Sequence, residues 1–232
     1  MVTKIVSHRG RTSKNSEDNT LQAIDDAINL NIDMVEVDIR KTKDSKIVCF
    51  HDSELNDIPL IEMDYSEIIE LNPNIPTLEQ VLSSSKDKIE IDIEFKESGY
   101  EREVISMILD YFEYDNFIVK SFVLGVVKKV KEIDDKIMVG MLLGSEISIN
   151  QLLDVIYESL FLYNFKLSGA DFISPYYKIY EAGWVNRFVS RGIPIQVWTV
   201  NDQDLLKTLI HQEIYSVVTD IPEIALEIRE SI

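Results

Sequence analysis

The sequence is poor in cysteine, histidine and positive charge, and it has no long apolar run. One cysteine, Cys49, stands in 232 residues. An intramolecular disulfide is therefore excluded, and a metal site built on clustered thiolates is ruled out with it. Cys49 lies in the apolar run Ile47-Val48-Cys49-Phe50, so it reads as a small buried hydrophobe. Lysine and arginine number 23 against 41 acids, a formal charge of −18. Such a surface repels nucleic acid and anionic membranes, so an anionic ligand needs a local cation to receive it. No stretch approaches the roughly 18 apolar residues of a membrane span. The N-terminus enters an apolar strand at once, without the basic and apolar regions of a signal peptide. A cytoplasmic protein without an integral membrane segment is the expectation. Linkers rich in Gly, Pro or Ser are missing too, as is any low-complexity segment, which predicts one domain over residues 1–232.

What is present is a cadence of short apolar runs and longer amphipathic ones. Candidate strands cover residues 4–7, 33–39, 46–50, 88–95, 117–122, 136–143, 171–175, 195–200 and 215–219. Between most of them lie helical spacings, as in Leu21, Ile24 and Ile28, Val126, Val130 and Ile133, and Leu152, Ile156 and Leu160. Asn19 with Gln22, and Thr77 with Gln80, have capping-box spacing, and Asn201 with Asp204 is a weaker version. Pro222 suits the first turn of a final helix. Alternating strands and helices over this length predict a single (β/α)8 TIM barrel.

Nine strands is one too many, and the excess can be located. Only residues 40–45 separate the second and third candidates, whereas a parallel crossover needs about a dozen or more. These two must form an antiparallel hairpin that turns at Lys43-Asp44-Ser45. The second barrel strand then runs past the C-terminal mouth, and the returning strand delivers His51 back to it. In such barrels the mouth carries the active site.

Polar residues of catalytic type gather at these strand ends. His8-Arg9-Gly10 follow the first strand. Glu36 and Asp38, two apart, share a face of the second, His51-Asp52 end the hairpin, and Glu94 and Lys96 finish the fourth candidate. Alone, an acid-alternating strand most simply has one wet face, and a lone histidine is most simply structural. In a parallel barrel, however, central strands are buried on both faces, and acids placed there must be paired or bind a cation. Glu36, Asp38 and Glu94 offer three hard oxygen donors suited to Mg²⁺ or Ca²⁺. Two of the chain's three histidines lie beside them. That combination fits metal-assisted acid–base hydrolysis of a phosphodiester.

The ordered set His8-Arg9-Gly10, Asp18-Asn19-Thr20, Glu36-Val37-Asp38, His51-Asp52 and Ile93-Glu94-Phe95-Lys96 resembles the glycerophosphodiester phosphodiesterase family. Further matches are Ile75-Pro76-Thr77-Leu78-Glu79, Ser121-Phe122, Val197-Trp198-Thr199-Val200-Asn201 and Thr219-Asp220. The resemblance implies hydrolysis of a glycerophosphodiester to an alcohol and glycerol 3-phosphate, through attack by a free glycerol hydroxyl and opening of a cyclic phosphate by water. It implies His8 and His51 as the general acid and base and Arg9 as a catalytic phosphate contact. It further implies Glu36, Asp38 and Glu94 as metal ligands, Lys96 as a phosphate-side cation and Trp198 as a mouth aromatic. Trp198 reads almost equally well as core.

The chain departs from the family at two places. Asp18 stands where the family usually has glutamate, one methylene longer, and a supporting role is expected for it. The segment 53–76 is shorter than the family's usual insertion, so head-group preference is the least transferable property. A lysophospholipase D-like or other related phosphodiesterase, and a catalytically weak barrel that binds phosphate ligands, are the alternatives. His211, the third histidine, falls at the end of the helical pattern 205–211 and is expected to be a surface or helix-capping group.

Overall fold

A computed structural model of the protein describes residues 2–13, 17–144, 162–183 and 185–231. Its parallel strands are β1 (Lys4–Ser7), β2 (Met34–Lys41), β6 (Glu90–Phe95), β7 (Phe117–Ser121), β8 (Val139–Leu143), β9 (Phe172–Pro175), β10 (Gln196–Val197) and β11 (Ser216–Thr219). They run in the order β10-β11-β1-β2-β6-β7-β8-β9, and the parallel bridges Ile173–Ile195 and Tyr176–Trp198 join the two ends into a barrel of eight strands. The predicted hairpin is present. β3 (Ile47–Cys49) pairs antiparallel with the overhanging end of β2, with Ile39 opposite Cys49 and Lys41 opposite Ile47. A two-stranded ribbon of β4 (Glu54–Leu55) and β5 (Ile58–Pro59) was not anticipated, because strands of two residues carry no periodicity.

Each candidate strand is found, mostly trimmed by a residue or two. The largest loss is in 195–200, where only Gln196–Val197 pairs as regular strand. Thr77 and Gln80 do form a capping box on the helix Leu78–Ser85, and Pro222 opens the helix Pro222–Glu230. The other two caps are corrected. Thr20, not Asn19, caps the helix Leu21–Asn29 by accepting from Ala23 N. Asp202, not Asn201, caps Gln203–His211. Both asparagines instead make long-range contacts in the mouth. The helical pattern at Leu152, Ile156 and Leu160 lies outside the described residues.

Strand alternation divides the core. Val35, Val37, Ile39, Ile91, Ile93 and Phe95 pack outward with the surrounding helices. Val6, Met34, Ile118, Phe172 and Val218 form a separate cluster inside the barrel. Two residues further along, the inward positions turn polar. The pairing of β2 with β6 sets Glu36 beside Asp92 and, one step nearer the mouth, Asp38 beside Glu94.

Gly140 on β8 makes room for this filling. A Cβ there would lie 2.2 Å from the ring of Phe172. Gly140→Ala should cost about 1–3 kcal/mol through overpacking, and Phe172→Leu should recover part of the loss in a denaturant melt. Equal stability of Gly140→Ala and the parent would contradict that packing.

Candidate active site

Local backbone geometry sets the first strand-end motif. After β1 the chain turns tightly, with Arg9 at φ 55° and Gly10 at φ 75°. Left-handed backbone suits glycine, and a Cβ on Gly10 would lie 2.8 Å from that of Ala23. Arg9, a non-glycine residue held there, carries strain of about 1–2 kcal/mol. Its backbone N–H donates to Glu36 Oε2 at 2.9 Å. Its guanidinium Nε lies 3.1 Å from Asp38 Oδ2, and its Nη1 3.5 Å from Asp18. Asp18 also clasps Arg11. The expected supporting position of Asp18 is thus beside Arg9.

Glu36, Asp38 and Glu94 are buried, and each offers a carboxylate oxygen within 4.8 Å of the other two. Asn19, itself at φ 57°, grips Asp38 twice: its amide donates to Oδ2 at 3.0 Å, and its carbonyl accepts from Asp38 N–H at 3.0 Å. Lys96 Nζ lies 2.7 Å from Asp38 Oδ1 and also pairs with Glu94.

The two neighbouring acids titrate in opposite directions. Burial would raise the Asp38 carboxyl, but the charges of Lys96 and Arg9 outweigh it and hold it at about 2. Burial pushes Glu94 up to about 7, aided by the negative charges of Asp38 and Glu36 and opposed by Lys96. A convergent hard-oxygen trio in which one member resists ionisation is a donor set that a divalent cation fits, because added positive charge relieves the repulsion.

The histidines sit on separate elements. His8 Nδ1 is 2.7 Å from Asp220 Oδ1. An ionised carboxylate only accepts, so Nδ1 carries the proton and Nε2 is left for proton exchange. Asp220 follows β11 and is fixed by Asn201, whose amide donates to Oδ2 at 2.6 Å and whose carbonyl accepts from Asp220 N–H at 2.9 Å. Burial opposes ionisation of Asp220, yet the hydrogen bond and charge of His8 hold its carboxyl below the ordinary range.

His51 follows β3, with Nδ1 2.7 Å from Asp52 Oδ1 and its carbonyl accepting from Arg40 Nε at 2.9 Å. The preceding residue, Phe50, donates its N–H to the carbonyl of Asp38 at 3.0 Å, which ties this loop to the acid-bearing strand.

A cleft of about 420 Å³ opens beside His8 and Arg9, walled by Tyr176, Tyr177, Trp198 and Asp220. Trp198 is both mouth and core. Its indole N–H donates to the carbonyl of Ser174 at 2.7 Å, while its ring meets Phe122 edge-on at 5.6 Å and Tyr176 at 5.3 Å. Larger clefts of about 560, 560 and 470 Å³ lie elsewhere and contain none of the strand-end histidines or acids. His211 is exposed in the last turn of Gln203–His211, ahead of the N-terminal end of β11 and so at the opposite end of the barrel. Cys49 is buried, which raises its thiol pKa and makes it inert.

The structure therefore joins Arg9, Glu36, Asp38, Glu94 and Lys96 through direct contacts, with His8 next to Arg9 in the chain and lining the same cleft. Trp198 shares a cleft with two of them, and His51 approaches along the hairpin. Sequence reasoning gives no role in the site to Asp220, Asn201, Asn19, Arg40 or Lys120. Asp220 appears only as a motif match, although it satisfies the same strand-end criterion as His8, and Asn201 only as a motif match and a helix cap.

The chain is similar to known proteins over nearly its whole length. Residues 8–224 match the glycerophosphoryl diester phosphodiesterase family. A glycerophosphodiester phosphodiesterase of Caldanaerobacter subterraneus subsp. tengcongensis is 25% identical over 245 residues, covering 96% of both chains. The crystal structure of a glycerophosphodiester phosphodiesterase from Thermotoga maritima is 27% identical, with a TM-score of 0.77 over 98% of each chain. An Oleispira antarctica phosphodiesterase, solved with the product sn-glycerol-3-phosphate, shares the fold at a TM-score of 0.83 and 18% identity, over 99% of this chain and 97% of that one. The chain belongs to the glycerophosphoryl diester phosphodiesterase family, whose members are phosphodiester hydrolases.

Proposed function

We propose that residues 1–232 act as one catalytic barrel that hydrolyses small glycerophosphodiesters to an alcohol and glycerol 3-phosphate, with Glu36, Asp38 and Glu94 holding Mg²⁺ or Ca²⁺. The convergence of those three carboxylates within 4.8 Å, next to Arg9 and the His8 cleft, carries the reading. A divalent cation, when bound, supplies positive charge where negative charge builds on the phosphoryl oxygens. Arg9 and Lys96 are the local cations that a chain of charge −18 needs to receive an anion. Lys96 is engaged by Asp38 and Glu94, and its ammonium would be free to turn toward a phosphate where those carboxylates held a cation instead. His8 and His51 transfer the protons, one from the attacking oxygen and one to the departing alkoxide. Asp220 fixes the tautomer of His8 and stabilises its protonated form, and Asp52 is placed to do the same for His51. Trp198 walls the substrate cleft.

No helix among the described residues is long and apolar enough to cross a membrane. A cytoplasmic location and a small-molecule substrate follow the same reading. Phe122, 48% exposed beside Trp198, adds apolar surface at the mouth, so lysophospholipids belong among the substrates tested. A panel of glycerophosphodiesters and lysophospholipids, assayed with Mg²⁺, Ca²⁺ or chelator, tests the proposal. Turnover of glycerophosphodiesters is the expected result. A preference for lysophospholipids would move the assignment to a lysophospholipase D-like activity. Binding without turnover across the panel would leave only a phosphate-binding barrel.

Stability should report the same trio. Burial holds Glu94 at about 7 against an ordinary 4.5, and Asp92 at about 6 against 3.8. Between those values the folded state keeps protons that the unfolded chain has released, so stability falls as pH rises. Thermal melts in chelator should decline from about pH 5 to about pH 7.5. Saturating divalent cation should flatten that decline, since it favours the ionised acids and displaces about one proton. A chelated profile that rises over this window would contradict the assignment.

A further inference from the structure

Directly beneath the acidic trio lies a charged group that the mechanism does not use. Lys120, on β7, points into the barrel and is only 2% exposed. Its Nζ lies 2.8 Å from Asp92 Oδ2, 3.4 Å from Gln196 Oε1 and 3.6 Å from Glu36 Oε1. Gln196 donates to the same Asp92 oxygen at 2.9 Å and accepts from Ser174 at 2.9 Å. The ammonium is thus anchored from below and presents its charge upward to Glu36.

Stability alone is a poor reason for this arrangement. A buried ion pair is often no better than well-packed apolar residues of the same volume. Here the pair is also imperfect, since Asp92 Oδ1 has no hydrogen-bond partner. Nor can Lys120 reach a substrate. Lys96 and Arg9, 12% and 20% exposed, are nearer the mouth and are the cations able to turn toward a phosphate. The remaining chemistry within reach of Lys120 is the charge of the trio above it.

We propose that Lys120 is an internal counter-ion of the metal centre: it positions Glu36 and offsets carboxylate repulsion when the site is empty, and it weakens cation binding by facing the same carboxylate. Asp92 sets the strength of this effect by neutralising part of the lysine's charge from the far side. The inference rests on Glu36, Asp38 and Glu94 being the metal ligands. Its signature is a sign. An uncharged partner behind a ligand orients it, and losing that partner typically weakens metal binding about 10–100-fold. A cation facing the ligand should do the opposite, because its removal strengthens the attraction between the trio and a divalent ion.

Calorimetric titration of the full-length protein with Mg²⁺ and with Ca²⁺, alongside melts in chelator, tests this. Lys120→Met should bind the ions about tenfold more tightly while its metal-free form melts lower. Asp92→Asn should bind about tenfold more weakly, because the full lysine charge then faces Glu36. The double variant Lys120→Met/Asp92→Asn, which removes both charges of the buried Lys120–Asp92 pair, should recover part of the metal-free stability and still bind at least as tightly as the wild type. If Lys120→Met does not fold, Asp92→Asn and the double variant carry the same two signs. Metal affinity that weakens in both Asp92→Asn and the double variant, or that changes in neither, overturns the proposal and leaves the ligand assignment standing. A wild-type protein that binds neither ion overturns both.

Discussion

Replacing His8 or His51 with alanine should each lower turnover by about two to four orders of magnitude, the ordinary contribution of a positioned acid or base. Neither role can be filled by a side chain that carries no exchangeable proton. The fold should survive both changes, because His8 is bound only at the rim and His51 is 42% exposed. The rate should fall on either side of a pH optimum, since one imidazole must be neutral while its partner is charged. Asp220→Asn should separate positioning from proton transfer. An amide can donate to Nδ1 and so select the wrong tautomer, which should lower kcat more than it raises KM. His211→Ala is the internal control. That residue is exposed at the far end of the barrel, and its replacement should leave turnover within a few-fold. Comparable losses at all three histidines would indicate general destabilisation, and losses at none would favour a barrel that only binds its ligand.

The second large effect concerns the acids. Glu36→Gln should abolish most activity and most metal binding while the protein stays folded. Glutamine keeps the shape and still accepts from Arg9 N–H, but it removes one of the charges that hold a divalent ion. Metal-free stability should not fall, because the three carboxylates repel one another when no cation is present. Glu36→Gln that binds metal and turns over substrate like the parent would show that these oxygens are not the ligands.

How much of this was legible in the sequence varies by the range of the interaction involved. The strands were readable because apolar runs report burial locally, and the antiparallel β2–β3 hairpin followed from a connection too short for a crossover. The acids were readable because charges inside a two-sided parallel sheet demand an explanation. Asn19 was misread for the opposite reason. Its spacing to Gln22 suited a cap, but its side chain is committed to Asp38, 19 residues away. The contact from His8 to Asp220 spans 212 positions, and no periodicity encodes a pairing of that length. Lys120 stands alone as a charge in a mostly apolar run and carries no paired signal, although the burial argument applied to Glu36 and Glu94 applies equally to a lysine inside the same barrel. In each case the local pattern gave the element, and only the closed barrel supplied the partner.

The central claim is that this chain cleaves a glycerophosphodiester and needs a divalent cation held by Glu36, Asp38 and Glu94 to do so. Phosphorus NMR of the purified protein with a glycerophosphodiester tests it most directly, recorded first in chelator and then after excess Mg²⁺ or Ca²⁺ is added. The account predicts an unchanged diester signal in chelator, followed on addition of the ion by conversion to glycerol 3-phosphate. Conversion at the same rate in chelator, or no conversion with either ion, would contradict it.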